Sequence, residues 1–193
     1  ALSLLSEAYK SRDKICLVSC HGEFADVLVP PTKSMALAKS RLEAMPCGGG
    51  TPLAHGLILA MRTGLNAIKV KKDVGRAVIV LLSDGRANVP VCVSEGERFD
   101  PLVDPASKDG QPSRKYLKEE VVAISKTIGS LAEFSLLCID TEDRFVGTGA
   151  ACDIAKAALG NYFHIVEPSA SNVSVIAQKG VEAAKLEAST WNT

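Results

Sequence analysis

The amino-acid sequence predicts an α/β domain: a doubly wound, mostly parallel sheet with an antiparallel hairpin at one edge. Three observations carry this. Short apolar runs alternate with longer segments whose apolar residues recur every three or four positions. The run 77–82 (Ala-Val-Ile-Val-Leu-Leu) is apolar throughout, as a strand buried on both faces of a parallel sheet would be. Near the start, two apolar runs are separated only by His21-Gly22-Glu23, a connection too short for a parallel crossover.

Taken in order, residues 1–9 read as a helix, with Leu2, Leu5 and Tyr9 on one stripe. No Ser, Thr, Asp or Asn stands before them to cap the first N–H groups. The expectation is a single domain, 1–193, that is incomplete at its N-terminus. Residues 14–20 form a first strand and 25–29 a second, stopped by Pro30-Pro31, which suit a sheet edge. Ser34 can cap a helix through Met45, with Met35, Ala38, Leu42 and Met45 on one face. Pro46-Cys47-Gly48-Gly49-Gly50 breaks it. Thr51 as N-cap and Pro52 at N1 open a long helix, whose apolar stripe includes Leu53, Leu57, Met61, Leu65 and Ile68.

The apolar strand 77–82 follows. Residues 91–113 hold Gly96, Pro101, Pro105, Gly110 and Pro112 and no periodic pattern, so they read as a long surface loop. Leu117, Val121, Ile124, Ile128 and Leu131 mark another helix. Residues 134–139 form a buried strand, 151–159 a short helix and 162–166 a further strand. Val173, Ile176, Ala177, Gly180, Val181 and Ala184 mark a last helix.

Composition narrows the function. The 193 residues are 47% hydrophobic and 23% charged, an ordinary globular balance. Lys+Arg equals Asp+Glu at 22 each, which argues against a broad nucleic-acid or anionic-membrane footprint. No apolar run approaches the roughly 18–20 residues of a membrane span. Six cysteines form no Cys-x-x-Cys pair, so neither a zinc ribbon nor a redox pair is indicated. Cys16, Cys20 and Cys138 lie in strand runs and read as free buried thiols of a reducing compartment.

In doubly wound sheets, ligands bind beyond the carboxyl ends of the strands. Asp84 follows strand 77–82 within Ser83-Asp84-Gly85-Arg86-Ala87-Asn88, and is either a turn residue or a metal-facing carboxylate. Asp140 follows strand 134–139 within Asp140-Thr141-Glu142-Asp143, and is either part of a solvated loop or a second functional carboxylate. Gly48-Gly49-Gly50 allow a close backbone approach to a ligand, with Thr51 behind them. His55, one turn into the helix on the same face as Thr51, is either a packed structural residue or part of that surface. His21 and His164 suggest nothing specific. The glycine segment lacks the Gly-x-x-x-x-Gly-Lys-Ser/Thr pattern, and Cys47 has no identifiable base, so no catalytic residue is assigned.

Two long words, Cys47-Gly-Gly-Gly-Thr-Pro-Leu-Ala-His-Gly-Leu57 and Val74-Gly-Arg-Ala-Val-Ile-Val-Leu-Leu-Ser-Asp-Gly-Arg-Ala-Asn88, carry a resemblance. With Val29-Pro-Pro-Thr32, Gly64-Leu-Asn-Ala67 and Leu137-Cys-Ile-Asp-Thr-Glu142, they resemble the C-terminal integrin-I, or von Willebrand A, domain of magnesium chelatase D subunits. The resemblance covers nearly the whole chain.

Such domains carry a metal-ion-dependent adhesion site, built from an Asp-x-Ser-x-Ser motif, a Thr and a later Asp. The resemblance maps the Thr to Thr51 and the late Asp to Asp84; the Asp-x-Ser-x-Ser motif does not occur in these 193 residues. In the family that motif and its central strand lie just upstream of the helix at residues 1–9. The first central strand is therefore expected to be missing, leaving a gap beside strand 14–20. Mg²⁺, the implied cofactor, wants six oxygens, so weak or no binding is expected here.

The resemblance further implies a partner-binding surface of Gly49, Gly50, His55, Arg86 and Asp140 around the metal ligands. The implied partners are an AAA+ I subunit and a porphyrin-binding H subunit. With them, the complex inserts Mg²⁺ into protoporphyrin IX for chlorophyll biosynthesis, with ATP bound elsewhere in the complex. The location implied is the chloroplast stroma or the cytoplasm of a photosynthetic bacterium. Two other readings stay open: an adhesion domain of another complex, and a small Mg-dependent phosphotransferase using Asp84 or Asp140 with Arg86 as phosphate clamp.

Overall fold

A computed structural model describes residues 5, 8, 12–45, 48–70, 75–142, 148–165, 175 and 182. Strands β1 (Ile15–His21) and β2 (Phe24–Thr32) form an antiparallel hairpin, with a register running from Ile15 opposite Thr32 to His21 opposite Phe24. Pro30 and Pro31 do not stop β2, which continues to Thr32. Helix α1 (Met35–Glu43) ends before Met45, and its Ser34 cap accepts the Leu37 N–H as expected.

Helix α2 (Leu53–Val70) leads to β3 (Ala77–Ser83). After β3 come a short helix α3 (Val91–Ser94), a 3-10 turn at Pro101–Val103 and a bridge between Lys108 and Gln111. The predicted loop at 91–113 is thus locally ordered. Buried Asp104 fastens it by accepting the Ala106 and Ser113 N–H groups, while Leu102 is 90% exposed. Helix α4 (Arg114–Gly129), β4 (Phe134–Asp140), α5 (Ala150–Ala157) and β5 (Asn161–His164) complete the described elements. The last predicted helix apart from Val175 and Glu182, the helix at 1–9 apart from Leu5 and Ala8, and Cys47 lie outside the described residues.

Strands β3, β4 and β5 run parallel in that order, with Ala77 opposite Phe134 and Ser83 opposite Asp140. Among the described residues the hairpin is a two-stranded sheet of its own, in keeping with the gap expected beside strand 14–20. Helix α2 packs against both pieces, touching β1, β2 and β3. Its small residues permit this. A Cβ on Gly56 would collide with Cys20 Sγ of β1, and one on Gly64 would come within 2.8 Å of the Phe134 ring of β4.

The alternation of β4 divides the interior. Phe134, Leu136 and Cys138 join Leu57, Val121, Ile128 and Ile154 from α2, α4 and α5. Leu137 and Ile139 are buried on the other face with Ile165, Val80 and Phe163. β3 was expected to be buried on both faces, yet its residues are half-buried and Leu82 is exposed. The cause is its place in the sheet: among the described residues it pairs along one edge only, with β4.

Candidate functional site

The carboxyl ends of β3 and β4 lie side by side, and the Thr141 N–H donates to the Ser83 carbonyl at 3.3 Å. The chain then turns sharply. Asp84 Oδ1 accepts the Arg86 N–H at 3.0 Å, and Ser83 Oγ accepts the Gly85 N–H at 3.0 Å. This is the Asx-type local bonding that makes Asp a turn residue. Gly85 holds φ +75° and lies against the start of α5, where a Cβ would strike the backbone of Ala150 and Ala151. Only glycine meets both requirements.

Thr51 approaches this turn from the other side. Its N–H donates to Asn88 Oδ1, and its carbonyl accepts the Asn88 N–H at 3.3 Å. Asn88 therefore clasps the head of α2 to the loop that Asp84 opens, and the Thr51 and Asp84 loops meet at one end of the sheet. Thr51 is not the cap the sequence suggested. The helix opens one residue later, with the Gly56 N–H on the Pro52 carbonyl at 2.9 Å. Ser34 and Ser113 spend their hydroxyls on capping. The Thr51 hydroxyl has no hydrogen-bond partner among the described residues.

The glycines at 49 and 50 approach protein rather than a ligand. The Gly22 N–H of the hairpin turn donates to the Gly50 carbonyl at 3.1 Å. A Cβ on Gly50 would collide with the Gly22 carbonyl and come within 2.7 Å of Val89 Cγ2; one on Gly49 would rest 3.4 Å from His21 Nε2. His55 ties α2 to β2, its Nδ1 accepting the Ala25 N–H at 3.0 Å, so the structural reading of this residue is the one the contacts favour.

Asp140 is corrected most plainly. It is 2% exposed, and its oxygens accept the Glu142 N–H at 2.8 Å and the Tyr162 hydroxyl at 2.7 Å. It braces the end of β4 and offers no carboxylate to the surface. Burial and this hydrogen bond both push the Tyr162 hydroxyl pKa up.

The sequence did not single out Glu142. Its side chain is 5% exposed, and its Oε1 accepts from both Arg86 Nε (3.0 Å) and Nη2. Its Oε2 accepts the Thr148 N–H at 2.7 Å, and its carbonyl lies 2.8 Å from His164 Nε2. Burial pushes the Glu142 carboxyl pKa up, but Arg86 and Thr148 outweigh it and hold the group below the ordinary carboxylate value. Arg86, weighed as a phosphate clamp, is thus committed to an internal carboxylate and approaches Asp84 Oδ2 only at 3.9 Å. The signal for Glu142 was its place two residues past a strand end, where an acidic run resembles any solvated loop.

Thr51 brings a hydroxyl to the loop at Asn88, four residues after the half-exposed Asp84 carboxylate. Both are hard oxygen donors, which suits Mg²⁺, an ion that keeps several waters. Among the described residues, no group of three or more His, Cys, Asp or Glu is placed to hold a metal. The two residue types could supply part of a hard cation's coordination shell, not the whole of one. No described helix is long and apolar enough to cross a membrane.

Comparison with solved structures shows the class. The fold is similar to the crystal structure of the SpRpn10 VWA domain, with a TM-score of 0.54 at 13% identity, covering 90% of this chain and 76% of that one. It is a von Willebrand A fold. No family model matches the chain. It is 39% identical over 180 residues to the magnesium-chelatase 67 kDa subunit of Heliobacterium mobile, covering 93% of this chain and 24% of that protein. It is 34% identical over 171 residues to the 67 kDa subunit of Chlorobaculum tepidum, covering 89% and 26%. The chain belongs with these magnesium-chelatase subunits and spans about a quarter of the length of the relatives it matches.

Proposed function

We propose that this chain is a non-catalytic docking domain of a magnesium-chelatase D subunit, supporting ATP-dependent insertion of Mg²⁺ into protoporphyrin IX in chlorophyll biosynthesis. On this reading it couples an AAA+ I subunit, which handles ATP, to a porphyrin-binding H subunit, in the chloroplast stroma or the cytoplasm of a photosynthetic bacterium. Thr51 and Asp84 belong to a metal-ion-dependent adhesion site. A Mg²⁺ there would take two oxygens from this pair and leave a position for a partner's carboxylate. The observation that supports the reading is the Asn88 clasp, which holds the Thr51 segment, with its unspent hydroxyl, against the loop that the half-exposed Asp84 opens at the carboxyl end of a parallel sheet. The similarity to chelatase subunits supplies its biological setting. The segment 91–113 leaves the same end and presents Leu102 and Val103 on an ordered turn, which suits a role in partner choice.

The test is made in the full-length subunit. Thr51→Ala and Asp84→Ala are each expected to weaken assembly with the I and H subunits at least tenfold and to lower chelatase activity in step. Replacing Leu102 and Val103 by Ser is expected to change affinity for one partner more than the other. Assembly at unchanged affinity in both alanine variants would overturn the metal-dependent docking role, and unchanged affinities in the Ser variant would remove the loop from it.

A further inference from the structure

Helix α3 is four residues long, too short to hold itself as a helix, and its first N–H groups need acceptors from outside. Pro90, at its N-cap, supplies none from its side chain. The acceptor comes from α4: Glu120 Oε2 takes the Val91 N–H at 3.2 Å. Glu120 is half-buried, beside the Tyr116 hydroxyl and the Cys92 thiol. At the other end of α3, Ser94 Oγ donates to the Glu23 carbonyl of the hairpin turn at 2.8 Å, nearer than the Pro90 carbonyl at 3.4 Å. Three segments thereby close on one another. The run 88–94 holds the hairpin turn through Ser94, and the hairpin turn holds the run 48–51 through the Gly22 N–H on the Gly50 carbonyl. The run 48–51 returns to 88–94 through the Thr51 N–H on Asn88 Oδ1, with Val89 lying against Gly50 inside the same ring.

We infer that Glu120 is a positioning residue for the Thr51 hydroxyl, anchoring through α3 the ring of hydrogen bonds that seats Thr51. The inference rests on the reading of Thr51 as a metal ligand and extends it to a residue of α4. A ring of segments joined by hydrogen bonds has a shape but no fixed place until it is tied to the body of the domain. Helix α2 ties it at Thr51, from which the helix continues. Glu120 ties it at the 88–94 corner, and α4 is itself held in the core by Leu117 and Val121 on either side of Glu120. The Val91 side chain packs against that core as well, but apolar contact is non-directional, whereas a hydrogen bond weakens steeply when its angle opens. Without the Glu120 acceptor, α3 can slide on the core and carry Asn88 with it. The Thr51 N–H follows its acceptor, and the hydroxyl moves off the place a cation of near-octahedral demand requires.

Glu120→Ala removes the acceptor, while Glu120→Gln keeps an oxygen that can take the Val91 N–H. Val91→Pro removes the donor instead, at a first helical position that suits proline. In the full-length subunit without nucleotide, bound Mn²⁺ is titrated by electron paramagnetic resonance well below the thermal midpoint of each variant, so that a loss of stability alone leaves the affinity unmoved. The expected result is at least threefold weaker Mn²⁺ affinity in Glu120→Ala and in Val91→Pro, and affinity within twofold of the unmodified subunit in Glu120→Gln. Ser94→Ala opens the same ring at the hairpin turn and should weaken binding comparably. Combined with Glu120→Ala it should add less than a further twofold, because both changes release one helix. Unchanged affinity in Glu120→Ala or, where that variant fails to fold, in Val91→Pro overturns the inference. So does a loss in Glu120→Gln equal to that in Glu120→Ala, or a double-variant loss equal to the product of the single ones. Thr51→Ala separates the two levels. If it abolishes Mn²⁺ binding while Glu120→Ala leaves binding intact, this inference alone fails. If it binds Mn²⁺ like the unmodified subunit, the metal reading of Thr51 fails and takes the inference with it.

Discussion

Gly50 shows how a residue chosen for one reason turns out to serve another. Its lack of a side chain suggested room for a ligand, but the room is filled by the Gly22 carbonyl of the hairpin turn and by Val89. The contact is to backbone, which cannot swing aside, so Gly50→Ala forces the hairpin turn and the 48–51 segment apart. Overpacking of this kind costs roughly 1–3 kcal/mol. A urea midpoint should fall accordingly, whereas Gly48→Ala, which has open space around it, should pay only for its φ of +91°. The same contact links stability to the site, because Gly50 directly precedes Thr51. Gly50→Ala should therefore also weaken Mn²⁺ binding in the full-length subunit, although the glycine touches neither oxygen donor.

At the level of elements, α2 joins two sheets that share no strand pairing among the described residues. Helix-forming preference alone would make Gly56→Ala stabilising by about 1 kcal/mol. Packing reverses the sign, since a Cβ at Gly56 meets Cys20 Sγ on β1. We expect Gly56→Ala to destabilise by roughly 1–3 kcal/mol. Cys20→Ala in that background should recover part of the loss, a coupling of about 1 kcal/mol or more between residues in contact. Chemical denaturation of the four proteins in the cycle measures it; strict additivity would mean that the helix is free to shift. Order and type of the elements were legible because apolar periodicity is a local property, and β1, β2, α1, α2, β3, α4, β4, α5 and β5 each fall on a predicted segment. What joins them was not. The separation of the hairpin from the parallel sheet was implied by the resemblance and not by periodicity, and the order inside 91–113 depends on Asp104 reaching Ser113 nine residues on, a bond with no periodic signature. At the site, the strand-end rule pointed to Asp84 and Asp140, and the glycine segment ahead of α2 pointed to Thr51. The strand-end rule could not tell Asp140, turned inward onto Tyr162, from a surface carboxylate, nor find Glu142, whose buried carboxylate binds Arg86 and Thr148.

Across the whole molecule, the cysteines report how tightly the two pieces close. Cys16, Cys20, Cys92, Cys138 and Cys152 are free thiols, as the sequence suggested for those in strands. Burial pushes Cys16 and Cys20 up to about 11 and Cys138 up to about 12. Only the thiolate is nucleophilic, and a pKa near 11 leaves about a thousandth of a thiol ionised at pH 8. Native protein treated with iodoacetamide at pH 8 should leave all three unmodified by peptide mass spectrometry, while urea-unfolded protein is labelled at each. The same shifts set an alkaline limit on stability. Their folded pKa values lie above the unfolded value of about 8.5, so their contribution is complete below that pH. It is lost progressively as the pH rises toward 11, because the unfolded chain releases its protons first. Cys138 belongs to the core shared by α2, α4 and α5, and Cys20 packs against that same core from the hairpin. Their joint protection therefore tests whether hairpin and parallel sheet open together. Labelling of Cys16 and Cys20 in conditions that leave Cys138 protected would show the hairpin detaching first, and with it the Gly22 contact that seats the Thr51 segment.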